Sequence, residues 1–198
     1  MGLFDSLLGR TKPVRPNLDA LFALPSAAVT LQTAEGLLLS GHAGVCWKPP
    51  AGQSAADVRQ EATDLLAMPD DDGAAGGGLT QAEDAYGYQW LLLDDPDTET
   101  LVTRVHLVNT TLTEHGWGPQ LLCSVFGLLP APTAGPDVRA LFLVYLYKRG
   151  TFYPFAPDGR EHRDSELELR MRAVLATDLP IEQDLQRWFP LWDLPLGT

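Results

Sequence analysis

The clearest periodicity in the chain is Leu101, Val105, Val108 and Leu112, an i, i+4, i+7, i+11 stripe. It predicts a helix over 98–115, with Gly116 as its C-terminal stop. Other stretches follow the period of a strand or run unbroken. Residues 27–32 (AAVTLQ) alternate, and 36–47 (GLLLSGHAGVCW) supply one or two strands bent at Gly41 and Gly44. Residues 86–93 (YGYQWLLL) read as a further strand. Residues 120–127 and 138–147 read as an antiparallel pair joined by the Pro-rich loop LLPAPTAGPD. The remaining helices are shorter. Asn17 caps NLDALFAL, which Pro25 closes, and Ser54 opens a helix striped by Val58, Ala62, Leu65 and Leu66. Ser165 with Glu168 forms a capping box for a helix to Ala176. Asp178, ahead of Pro180, starts another with Ile181, Leu185 and Trp188 on one face.

Strands and helices in this order do not alternate strictly, which disfavours a doubly wound parallel sheet. The pattern predicts an α+β fold: a single twisted, mainly antiparallel sheet of about five strands with helices packed on one face. Residues 1–16 form a short amphipathic N-terminal segment, and 17–198 a single domain carrying a flexible acidic, Gly-rich loop at 68–84. Asp70, Asp71 and Asp72 in that loop have no further spaced carboxylates around them, so the run reads as a solvated face rather than a calcium loop.

The stretch 141–157, LFLVYLYKRGTFYPFAP, poses a sharper question. An apolar strand needs cover on both faces, and it breaks at Lys148-Arg149-Gly150 into an aromatic elbow of Phe152, Tyr153, Pro154 and Phe155. The elbow reads as a plug over the sheet's end or as a docking rim, since rigid aromatics make good binding anchors. The run RWFPLWDLP offers the same choice. Lys148, Arg149, Phe152, Tyr153, Phe155, Trp188 and Trp192 are therefore the candidate partner-binding residues. Leu3, Phe4, Leu7 and Leu8 share one face of the N-terminal segment and are the candidates for docking on a partner or a membrane.

Charge and residue chemistry narrow the classes. The formal net charge is -12, and the first sixteen residues are net basic, so the body is more acidic than the whole. Such a body repels phosphates, which argues against nucleic acid and favours a basic or amphipathic protein partner. Cys46 and Cys123 sit far apart in apolar runs and read as buried thiols. No window approaches the length of an apolar membrane span, and the first residues lack a secretory pattern, so a cytoplasmic protein is expected, at most at the inner face of the membrane. Catalytic signatures are missing. His42, His106, His115 and His162 show no metal-ligand spacing, Ser124 lies inside a strand rather than at a nucleophile turn, and no phosphate-binding glycine motif occurs. A small-ligand pocket near Tyr147, Tyr153, His106 and Arg149 is the alternative to an interaction module.

Taken together, MGLFDSLLGRTKPVRPNLDALFALPSAAVTLQ, YGYQWLLL, GPQLLCSVF, LVYLYKRGTFYPFAP and RWFPLWDLP resemble, in order and over nearly the whole length, the PspAB family of PspA-associated proteins. That resemblance implies the phage-shock envelope-stress context, with a PspA-like coiled coil or an HtpX-type membrane protease system as partner. It carries over no catalytic residue and no cofactor, so a non-enzymatic adaptor is expected. The order of elements is also similar to the YbjN or type III secretion chaperone-like arrangement, a twisted antiparallel sheet that binds protein segments and is often dimeric. The two-faced apolar strand points to a homodimer, and Leu3, Phe4, Leu7 and Leu8 to a peripheral membrane contact, as the further associations expected.

Overall fold

The computed structural model describes residues 16–48, 79–159 and 161–196. The segment 1–15, with Leu3, Phe4, Leu7 and Leu8, lies outside them, as do the helix expected from Ser54 and the Asp70–Asp72 run. The architecture is α+β. One open sheet has six strands in the order β2-β3-β1-β4-β5-β6, and every pairing is antiparallel. The strands are β1 (Leu37–Trp47), β2 (Leu79–Glu83), β3 (Gln89–Asp94), β4 (Leu121–Pro130), β5 (Leu141–Leu146) and β6 (Thr151–Phe155). Three α-helices stand among the described residues: α1 (Leu24–Glu35), α2 (Thr98–Glu114) and α3 (Ser165–Leu175).

Helix α2 matches its stripe, which buries Leu101, Val105, Val108 and Leu112. Asp97 caps it by accepting from the Thr100 amide. Five local readings are corrected. Residues 27–32 lie inside α1, because Pro25 sits in the first turn as a starter rather than ending a helix, and Gly36 closes the helix at φ +66°. Ahead of it, Leu18–Ala23 is a 3-10 turn, and the Asn17 side chain caps nothing. The loop 68–84 gives way to β2 at Leu79, and Leu79–Glu83 pairs with residues 89–93 of β3. The cap of α3 is Asp164, not Ser165, since Asp164 accepts from the Leu167 amide. Finally, Asp178 starts no α-helix: Ile181 bridges to Phe152, and only Leu185–Arg187 turns as 3-10.

The aromatic elbow is a strand. Lys148, Arg149 and Gly150 make a tight turn, and β6 pairs antiparallel with β5 through Phe142–Phe155, Val144–Tyr153 and Tyr145–Phe152. Pro154 is tolerated because β6 has a strand on one side only. The other side takes a short bridge, in which the Phe152 amide donates to Pro180 O and Phe152 O accepts from the Glu182 amide.

Cross-strand partners sort the two faces. Val45, Ser124, Tyr145 and Phe152 lie in one row across the sheet. Ser124 Oγ accepts from Asn109 Nδ2 of α2, and Tyr145 Oη donates to Asn17 O, so this row faces the helices. Trp90, Cys46 and Cys123 lie on the opposite face. Among the described residues, the C-terminal run is the cover there. Trp188 stacks on Tyr153 at 5.9 Å, Trp192 meets Phe155 edge-on at 5.3 Å, and Leu196 fills the space above Gly44. A Cβ on Gly44 would fall 2.9 Å from Leu196 and 3.1 Å from Trp90, so glycine is what lets the tail lie flat.

Candidate functional site

The tail does not cover the whole of that second face. Between it and the β2–β3 turn lies a cavity of about 610 Å³, within the size range of small-molecule and side-chain sites. Cys46 and Cys123 make its floor. They are register partners on β1 and β4, and both are buried, 3% and 5% exposed. Hydrogen bonding with Cys123, then burial, pushes the Cys46 thiol well above its ordinary value, so it stays protonated at neutral pH.

One wall is the segment DAYGYQW. Asp84 Oδ1 accepts from the Tyr86 and Tyr88 amides at 2.9 and 3.0 Å, and Oδ2 accepts from Trp90 Nε1 at 3.0 Å. With Gly87 at φ +78°, these bonds fix a turn that presents Tyr86 and Tyr88 to the cavity. The opposite wall is the tail run Phe189–Trp192. Tyr153 Oη donates to Phe189 O at 2.8 Å, and burial raises the phenol's pKa, so it remains a donor. Arg163 clamps the same wall: Nε donates to Glu168 at 2.8 Å and Nη1 to Trp188 O at 2.7 Å, with the guanidinium over the Phe155 ring.

Charge gathers at the mouth. Lys148, Arg149 and Arg187 line it. Arg149 is paired with Glu182, and Arg187 with Asp184 at 3.0 Å. Lys48 Nζ lies 5.5 Å from the centre of the Tyr88 ring. Burial alone would raise the Glu182 pKa. Hydrogen bonds from Arg149, the Asp184 amide and Thr151 outweigh it, and the net shift is downward. Two aromatics of the rim face solvent: Tyr86 is 57% and Phe189 59% exposed.

The candidate partner-binding residues divide between these surroundings. Lys148, Arg149, Tyr153 and Trp192 line the cavity. Trp188 and Phe155 back its tail wall, both buried. Phe152 lies on the helix side, against Tyr145 at 5.1 Å. The pocket expected from Tyr147, Tyr153, His106 and Arg149 is not formed as a unit. Tyr147 Oη contacts Thr113 Oγ1 of α2, and His106 packs on Phe22, both away from the cavity. Cys46, Asp84, Tyr86, Tyr88, Trp90, Cys123, Arg187 and Phe189 are the site residues that sequence reasoning missed. Only DAYGY carried a local signal, an aspartate poised to cap a glycine turn.

The histidines are scattered: His42 pairs with Asp94, and His115 Nδ1 contacts Thr111 O. No group of three metal-ligating side chains gathers among the described residues. Nor is any helix among them long and apolar enough to cross a membrane. The model of one protein family, PspA associated protein B (PspAB), matches residues 1–196. No curated protein and no solved structure matches the chain.

Proposed function

The chain belongs to the PspAB family, and on that premise we propose that it is a non-enzymatic accessory protein of the phage-shock membrane-stress response. It binds a PspA-like coiled coil through the mouth of the aromatic cavity. The family match over residues 1–196, under a name that describes association with PspA, carries this reading. The site chemistry supports it. Ser124 is buried in a bond with Asn109, and the cavity brings aromatics and cations together without a nucleophile beside a base. Tyr86 and Phe189 are the exposed anchors, and Arg149 and Lys148 beside them favour a helix that carries acidic side chains next to its apolar face. An HtpX-type membrane protease is the second partner of this reading, and the inner face of the membrane is where either would be met.

Burial dictates the variants for the test. Phe152 and Tyr153 are core residues, and truncating them would unfold the sheet edge rather than probe a surface. A Tyr86→Ser/Phe189→Ser double variant changes only exposed rings. In pull-downs under envelope stress, the wild-type chain should capture the PspA-type protein and the double variant should lose at least tenfold of it. Equal capture by both would move the docking surface elsewhere. Capture of neither PspA nor the protease by the wild type would end the adaptor reading.

A further inference from the structure

The cavity interior is chemically unlike its mouth. Cys46, Cys123, Leu146, Trp90 and Trp192 offer sulfur, rings and aliphatic carbon. The polar atoms of the buried wall residues Trp90 and Tyr153 are already engaged: Trp90 Nε1 with Asp84, and Tyr153 Oη with Phe189 O. Asp84, the one carboxylate of the lining, uses both oxygens within its own turn. A sugar, nucleotide or amino acid resting on the sulfur and ring floor would shed water that these groups do not replace, at a cost. An apolar body loses nothing there and gains from leaving water.

At the mouth, Arg149 and Arg187 each keep a carboxylate partner. No carboxylate among the described residues pairs with Lys148 of the lining, or with Lys48, which lies over the Tyr88 ring. The mouth thus holds uncompensated positive charge, on a chain whose net charge is -12. An apolar interior with such charge at its opening complements a single-chain amphiphile with an anionic head. We infer that the cavity is a binding site for a free long-chain fatty carboxylate, its chain over Cys46 and Cys123 and its head beside Lys148. This rests on the cavity and not on the adaptor reading, because the exposed rim rings stand apart from the buried floor.

The test uses the full chain and dodecanoate below its micelle concentration. Trp90 and Trp192 fluorescence reports entry, and equilibrium dialysis gives the stoichiometry. One saturable site per chain is expected. Butyrate, which has the head without the chain, and dodecyltrimethylammonium, which has the chain with a positive head, should bind at least tenfold more weakly. Lys148→Glu changes an exposed side chain of the lining and should weaken dodecanoate about fivefold. Leu191→Asp, on the half-exposed wall, should abolish binding. The inference is overturned if dodecanoate shows no saturable binding, if the cationic analogue matches it, or if both variants bind like the wild type. It is also overturned if a PspA-type partner changes the tryptophan fluorescence and dodecanoate does not, because the cavity then takes a protein side chain. Dodecanoate binding without PspA capture would leave this inference standing and remove the adaptor reading; the reverse result would do the opposite.

Discussion

Glu182 shows how one side chain ties the site to the fold. Its carboxylate is almost fully buried and takes hydrogen bonds from Arg149, Thr151 Oγ1 and the Asp184 amide. It thereby joins the β5–β6 turn to the strand-like start of the tail. Burial opposes the charge, but these donors prevail and hold its pKa below 4.5, the ordinary value for a glutamate. A depressed carboxylate contributes stability that is complete above the unfolded-state pKa and is lost as pH falls through the folded one. Glu182→Gln should therefore cost about 1–2 kcal/mol at pH 7, the scale of hydrogen bonds to a charged group. The gap to the wild type should stay constant between pH 6 and 8 and shrink below pH 4.5. Thermal melts across that range check it, and a gap that widened in acid would contradict the assignment.

At the scale of elements, what was legible depends on whether a local pattern had one structural meaning. The stripe of α2 did, and so did the glycine-bent run of β1, where Gly41 at φ +81° accompanies a register shift between Leu39 and Ala43. Residues 27–32 did not: Val29 and Thr30 favour a strand, yet α1 buries Leu24, Ala27 and Leu31 at helical spacing. Pro154 concealed β6, because proline in a short aromatic run argues against a strand unless the strand is known to be an edge. The cavity was illegible for a deeper reason. Cys46 meets Cys123 only through the β1–β4 register, which no local window contains. The β5–β6 turn offers a test at this scale. Gly150 has φ +67°, and a Cβ there would lie 2.8 Å from Asn17 Cβ. Gly150→Ala should destabilise the fold by about 2–3 kcal/mol, part from the left-handed backbone and part from pushing away the chain that Tyr145 Oη holds at Asn17 O. Urea unfolding measures it; a loss under about 0.5 kcal/mol would mean that the contact with Asn17 yields freely.

For the molecule as a whole, the described residues cover the sheet asymmetrically: helices on one face, and a mostly irregular tail on the other. The tail depends on a few anchors. Trp188 is buried on Tyr153, donates Nε1–H to Glu182 O at 3.0 Å and is held at its carbonyl by Arg163. Its loss removes a large apolar area, a ring stack and a hydrogen bond together, so Trp188→Ala should cost about 3–5 kcal/mol. That is a large share of the roughly 5–15 kcal/mol that holds a domain together. The helix side has its own packing through Leu21, Leu24, Leu101 and Phe126, all fully buried, so damage to the tail should open one face before the other. Trp188→Ala should accordingly keep its far-UV circular dichroism, lose near-UV signal and bind a hydrophobic dye. Phe189, the next residue, is 59% exposed, and Phe189→Ala should leave stability within about 0.5 kcal/mol of the wild type. If both variants weaken PspA capture and only Trp188→Ala binds dye, the tail both closes the sheet and presents the rim. If Trp188→Ala captures its partner normally while its tail is open, the cavity mouth is not where the partner rests.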